Sequence, residues 1–424
     1  MLKRAREEKE EQCVNDLPVA VPRHENTRVC LHVVGLSHSI TNAVFSDCAF
    51  TGKILRFQKM MLDQGFDIIH YGVEGAYQYA GVKYEDILSK HDWEELRAIS
   101  YRDFHAQEHF ANCGKFLTVD EAKQQMTSSN RASHEGLNNT DSKLNVEFCR
   151  QLKLRLLCNY KRGDIVCLPY GCAHESALEP SFLCVETGIG YTNSLHRFRI
   201  FESSAWMHYA LAEREGKSGL GDNYWFVCPN YYNPEDWKFV RRVPHNMERT
   251  VVFMGRVNNS KGIQIVLDVA KRMPDFEFVI CGPGFSDVKP ESTNVSCIAP
   301  ILGIERASFL GNALCCITPS IMIEPFCGVS VEAQLCGTPV IASAYGALME
   351  TVADGISGYR CNTLADYCIA IRAVHSISRL DTRTRACELF STDAVGKMYT
   401  HALLSIRDLE VGSGWYESDS HKLF

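Results

Sequence analysis

Two short patterns are missing from this sequence: no two cysteines are separated by two residues, and no two aspartates by one. The first absence excludes the usual zinc knuckle and dithiol motifs, although the chain holds 19 cysteines in 424 residues. Cys158, Cys167, Cys281, Cys315 and Cys316 fall in strand-like apolar runs instead, and read as small hydrophobes of a chain kept reduced. The second absence removes one compact seat for a divalent ion. No metal or other cofactor is expected.

Long apolar spans are lacking too. Two long uncharged runs, Ala307 to Ile323 and Ala333 to Met349, are 17 residues each and are broken by Pro and Gly, so neither crosses a bilayer. The opening residues MLKRAREEKEEQC contain no apolar core of the kind a secretory leader has, which points to a cytoplasmic protein with at most peripheral membrane contact. Clustered positive charge is missing as well. Net charge is −7, the isoelectric point is near 6.1, and Lys and Arg are scattered, which argues against a nucleic-acid partner. A local pair of cations would still hold a small anion.

What is present is enough apolar material for two cores, 46% of residues. From about residue 28, short β-branched runs alternate with helical patterns: RVCLHVVGL, FDIIHYG, DIVCLPYG, SFLCVETGIG and YWFVCPN read as strands. After the turn YNPEDW a second series begins with RTVVFMG and continues through FEFVICG, NVSCIAP, ALCCITP, TPVIAS and GYRC. Uniformly apolar strands each followed by a helix belong to parallel sheets buried on both faces. The fold class is therefore α/β, with two doubly wound Rossmann-like domains. The expected division is a charged, disordered segment over 1–26, a first domain over 27–232 with an exposed, mobile polar insertion at about 120–145, a second over 233–390, and a C-terminal helix and tail over 391–424 that packs back on the first domain. Ligands in such sheets sit beyond the carboxyl ends of the strands.

Three loops of the second domain carry chemistry. In FMGRVNNSKG, Gly255 and Arg256 leave a strand end, Ser260 is placed to cap the next helix, and Lys261 falls at its first position. A cation there opposes the helix dipole, a placement that makes sense if an anionic group binds between Arg256, Lys261 and the free amides. The alternative at this point is a solvated Lys and an Arg paired with a surface carboxylate. In VICGPGF, Gly282 and Pro283 form a turn through which backbone can approach a flat ligand. In IEPFCGVSVEAQLCGTPVIAS, Glu324 precedes a short helix and Glu332 lies about one turn into it, the two acids standing in an otherwise uncharged stretch. Paired acids at a helix N-terminus can grip sugar hydroxyls, or can pair with a basic neighbour for structural reasons.

In their order and separation, GRVNNSKG, CGPG and EPFCGVSVEAQLCGTPVIASAYGALMETVADGISGYRC resemble the donor domain of the family 4 retaining glycosyltransferases of GT-B fold, including the E-x7-E element from Glu324 to Glu332. The first half of the chain matches more loosely, through VVGLSHS, HYGVEGA and FVCPNYYNP. The resemblance implies transfer of a hexose from a nucleotide diphosphate sugar to a hydroxyl acceptor such as a glycan, a lipid or a protein-linked sugar. It implies that Arg256 and Lys261 hold the donor pyrophosphate, that Glu324 contacts the transferred sugar near its anomeric centre, and that Glu332 holds the ribose. Backbone amides from Phe326 through Cys327 and Gly328 to Val329 would bind sugar and phosphate oxygens. One departure stands out: the family usually reads E-P-F-G, and here Cys327 takes the Gly position with Gly328 after it. The Asp-x-Asp metal motif of the other major glycosyltransferase fold is absent, so a metal-independent reaction is expected, with leaving-group charge carried by Arg256, Lys261 and helix N-termini.

On the acceptor side the candidates are His38, Glu74, His174 and Glu186, all near ends of first-domain strands, with His174 and Glu186 the preferred pair. Two other readings share the fold: a nucleotide-sugar epimerase, and a non-catalytic nucleotide-sugar binding protein.

Overall fold

The computed structural model describes residues 28–46, 48–77, 79–128, 139–215 and 225–411. The expected N-terminal segment 1–26 and the tail beyond 411 lie outside the described residues.

The first domain is a seven-stranded sheet whose strands all pair in parallel, built from β1 (Cys30–Val34), β2 (Asp67–Val73), β3 (Val82–Leu88), β4 (Ile165–Leu168), β5 (Cys184–Ile189), β6 (Phe198–Phe201) and β7 (Trp225–Val227), in the order β3-β2-β1-β4-β5-β6-β7. The second is a six-stranded parallel sheet of β8 (Thr250–Met254), β9 (Glu277–Cys281), β10 (Val295–Ile298), β11 (Cys315–Thr318), β12 (Val340–Ser343) and β13 (Gly358–Cys361), in the order β10-β9-β8-β11-β12-β13. Strand order reverses beside β1 in one sheet and beside β8 in the other. In doubly wound sheets that reversal parts the following loops and opens a crevice.

Core strands are apolar because helices cover both faces: β4, β8 and β11 are buried at every residue. Cys167 in β4, Cys315 and Cys316 in β11, and Cys281 at the end of β9 serve as apolar side chains, and burial pushes all four thiols above their usual pKa. Cys158 differs from expectation; it is exposed, near the end of the helix Lys143–Asn159.

The polar stretch at 120–145 also differs from a mere exposed insertion. A helix covers Val119–Ser128, with Ala122 and Met126 buried against Ala98 and Leu117, and the helix Lys143–Asn159 starts within it. Residues 129–138 lie outside the described residues. The C-terminal helix Thr392–Val411 returns to the first domain, where Val395, Tyr399, Leu403 and Ile406 share a core with β1, β4 and the helix Ala49–Asp63. No helix among the described residues is long and apolar enough to cross a membrane.

Candidate active site

A cleft of about 420 Å³ lies between the two sheets, at the reversal beside β8. The loop after β8 supplies Gly255, Arg256 and Lys261; the segment after β11 supplies Ser320, Glu324 and Phe326; the helix Gly328–Leu335 adds Gly328, Val329 and Glu332, with Cys327 at its start. Ala49, Glu202 and Asn230 close it from the first domain.

The Glu324 carboxylate is buried, and Lys261 Nζ donates to its two oxygens at 2.6 and 2.7 Å. Ser320 Oγ donates to the same carboxylate. Glu332 accepts from Arg306 Nε at 2.8 Å and from a second guanidinium nitrogen. Ion pairing of this kind offsets part of the cost of taking a carboxylate out of water. Arg256 is exposed on the rim of the same cleft.

Local structure corrects one expectation. Ser260 does not cap the helix after β8, and Lys261 is not its first residue. Asn258 accepts from the Lys261 amide and caps a single 3₁₀ turn, Asn259–Lys261; the helix itself starts at Ile263 after Gly262. Lys261 therefore projects from a tight turn two residues before the helix.

Cys327 has φ 67°, the only positive φ outside glycine among the described residues. That is the left-handed conformation in which a Cβ costs about 1–2 kcal/mol. The backbone thus retains a glycine-like turn at the position where the resembling family has glycine, while the chain places a buried cysteine there. Burial raises its thiol pKa, which keeps it a poor nucleophile.

Gly282 and Pro283 do not line the cleft. A Cβ at residue 282 would stand 1.8 Å from the Gly255 carbonyl oxygen, and the Val257 amide donates to the Pro283 carbonyl at 2.8 Å. Their turn braces the Gly255–Val257 loop from behind.

The acceptor-side candidates separate. His38 lines a second cavity, of about 290 Å³, at the reversal beside β1. Glu74 accepts from the Lys90 amide at 2.8 Å and borders a different groove, beside Trp93 and Arg97. His174 is fully buried, with its Nε2 3.0 Å from the Gly35 carbonyl oxygen; burial lowers its pKa to about 4, so the ring is neutral and Nε2 donates. Glu186 is fully buried too, and accepts from Tyr191 OH at 2.6 Å and from the Leu195 and His196 amides, both at 2.7 Å. The preferred pair, His174 and Glu186, thus braces loops and does not open into either cavity.

Three features of the site are not anticipated from sequence. Arg306 and Ser320 hold the two acids, and Arg306 could have been found as the cation bordering the uncharged run that starts at Ala307. Glu202, bound by Lys53, faces the cleft from the first domain. The domains also meet directly: Ser203 Oγ donates to the Pro325 carbonyl at 2.6 Å, and Glu350 accepts from the Ser204 and Ala205 amides at 3.0 and 2.8 Å, at the start of the helix Ser204–Glu215.

Two parallel α/β domains with a cleft between their reversal points make up the GT-B fold of glycosyltransferases. Residues 235–366, within the second domain, match the family model described as Glycosyl transferases group 1. The chain is 36% identical over 122 residues to the D-inositol 3-phosphate glycosyltransferase of Mycolicibacterium gilvum, a stretch that covers 26% of this chain and 28% of that relative's length. Among solved structures it is similar to AviGT4, a glycosyltransferase involved in avilamycin A biosynthesis, with TM-score 0.60, 14% identity, and coverage of 89% of this chain and 98% of that one. It is also similar to Anabaena HepE in complex with UDP and glucose, with TM-score 0.53, 14% identity, and coverage of 88% and 99%.

Proposed function

We propose that the protein is a retaining, metal-independent glycosyltransferase that moves a hexose from a nucleotide diphosphate sugar to a hydroxyl acceptor in the cytoplasm. The observation that carries this reading is the contact of Lys261 with Glu324 inside the cleft, with Arg256 on the same rim. The Lys261 ammonium is held by the Glu324 carboxylate. A donor pyrophosphate would recruit Lys261 and Arg256, and the charge that grows on the leaving phosphate would meet both cations. Glu324, released from Lys261, would face the positive charge that develops at the anomeric carbon. The acceptor oxygen attacks from the face the phosphate leaves, the bond from carbon to phosphate oxygen breaks, and the departing phosphate takes the acceptor's proton. Glu332 would exchange part of its contact with Arg306 for the ribose hydroxyls.

The solved neighbour that contains UDP makes UDP the first nucleotide to try. Calorimetric titration with UDP, with and without EDTA, tests the reading: the same micromolar-range affinity in both is expected. Affinity that vanishes with EDTA and returns with a divalent ion would contradict metal independence, and no binding of any nucleoside diphosphate would contradict the donor assignment.

A further inference from the structure

The cavity beside β1 is built unlike the donor cleft. The loop after β1 gives Ser37 and His38, the segment after β4 gives Tyr170, the loop after β5 gives Tyr191, and helices add Phe50 and Asn145. Three of these side chains form an aromatic cluster: Tyr170 and Tyr191 meet edge to face with centroids 4.6 Å apart, and Phe50 lies 5.6 Å from Tyr170 and 6.3 Å from Tyr191. The Tyr191 hydroxyl is drawn back to Glu186, which fixes the ring against the cavity.

Among the described residues, no Lys or Arg lines this cavity. Lys53, whose ammonium lies 5.6 Å from the Phe50 ring centroid, is held by the Gly188 carbonyl and by Glu202. Glu202, which lines the donor cleft, would be 3.1 Å from a Cβ at Gly190 of this cavity, so the Lys53–Glu202 pair stands behind Gly190. A dianionic phosphate placed here would lose its hydration without gaining a cation. An uncharged ring with one apolar face and several hydroxyls would suit it: the aromatic rings cover the apolar face, and the Ser37 hydroxyl, whose own proton goes to Asn145 Oδ1, and the His38 ring meet the hydroxyls.

We infer that this cavity is the acceptor seat and that it selects an uncharged sugar-like ring over a phosphorylated one. The inference rests on the glycosyl-transfer reading for the word acceptor; the selectivity is a property of the cavity. The named inositol-phosphate relative does not bear on it, since that likeness covers 26% of this chain.

The test is saturation-transfer NMR on the full chain with UDP present, using two matched pairs: methyl α-glucoside against glucose 6-phosphate, and myo-inositol against myo-inositol 1-phosphate. The neutral member of at least one pair should bind 10-fold or more tightly than its phosphate. Tyr170→Ala should weaken it by a similar factor while UDP affinity stays unchanged, and Phe50→Leu provides the same comparison if Tyr170→Ala does not fold. A phosphate that binds as tightly as its neutral partner overturns the inference, as does the absence of binding by every neutral ring while UDP still binds. Failure of UDP to bind would instead remove the transfer reading.

Discussion

Lys261 and Glu324 are 63 residues apart in sequence, and the lysine ammonium contacts both oxygens of the carboxylate. The contact exists because β8 and β11 are neighbours, so the segments that follow them emerge side by side. Lys261→Ala should weaken UDP binding by about 1.5–3 kcal/mol, the range for removing a charge-assisted hydrogen bond, and Arg256→Ala should do the same. Only Lys261→Ala should also lower stability, because it leaves the buried Glu324 without its cation. Equal melting temperatures for the two variants would contradict the geometry.

Arg306 is the structural counterpart on the second acid. Arg306→Ala leaves Glu332, whose side chain is 13% exposed, without its cation, and should destabilise the chain by about 1–3 kcal/mol. Urea denaturation measures this. Arg306→Ala combined with Glu332→Gln should recover part of the loss, and strict additivity of the two changes would rule out the pair.

Cys327 adopts the left-handed conformation with a Cβ in place. Cys327→Gly should be tolerated, since relief of strain offsets the reduced burial, and the same variant is the one to examine for altered donor preference. Cys327→Val should cost about 2 kcal/mol or more, because a β-branched residue fits that conformation worst. The raised thiol pKa further predicts negligible labelling of Cys327 by iodoacetamide at neutral pH in the folded chain, read by peptide mass spectrometry.

The alternation of apolar strands and helices was enough to expose both sheets, because strands buried on both faces leave an uninterrupted signature. Two strands were not legible. β3 is an edge strand in which Lys83, Glu85 and Asp86 interrupt the apolar pattern, and β6 is four residues long with Arg199 inside it. That arginine is buried with its guanidinium 4.7 Å from the Trp225 ring, a compensation that only the fold creates. Of the site, the acids and cations of the second domain were legible because charge inside apolar sequence demands a reason. The acceptor side was not, since His174 and Glu186 have the residue types of chemistry but are placed behind the cavity wall as braces.

His70 and His174 give a pH signature. Both are fully buried and donate to backbone carbonyls, of Val33 and Gly35 respectively, each at 3.0 Å, and burial lowers each pKa from 6.5 to about 4. Below pH 6.5 the unfolded chain takes up protons that the folded chain refuses until about pH 4. Stability is therefore full above pH 6.5 and falls through that window, by about 2 kcal/mol per histidine at pH 5. Urea titrations at pH 7.5 and pH 5 should show the fall, and His174→Gln should reduce it. A loss that His174→Gln leaves unchanged would mean that His174 does not titrate as a buried neutral group.

The proposed transfer places the donor's anomeric carbon beside Glu324. NMR of the sugar product formed from a nucleotide diphosphate sugar and a neutral acceptor reads the configuration at that carbon directly, through the anomeric proton coupling. A product that keeps the donor's anomeric configuration is expected, with Glu324→Gln lowering kcat while donor affinity changes little. A product of inverted configuration, or a Glu324→Gln variant that turns over like the wild type, would contradict the proposed transfer.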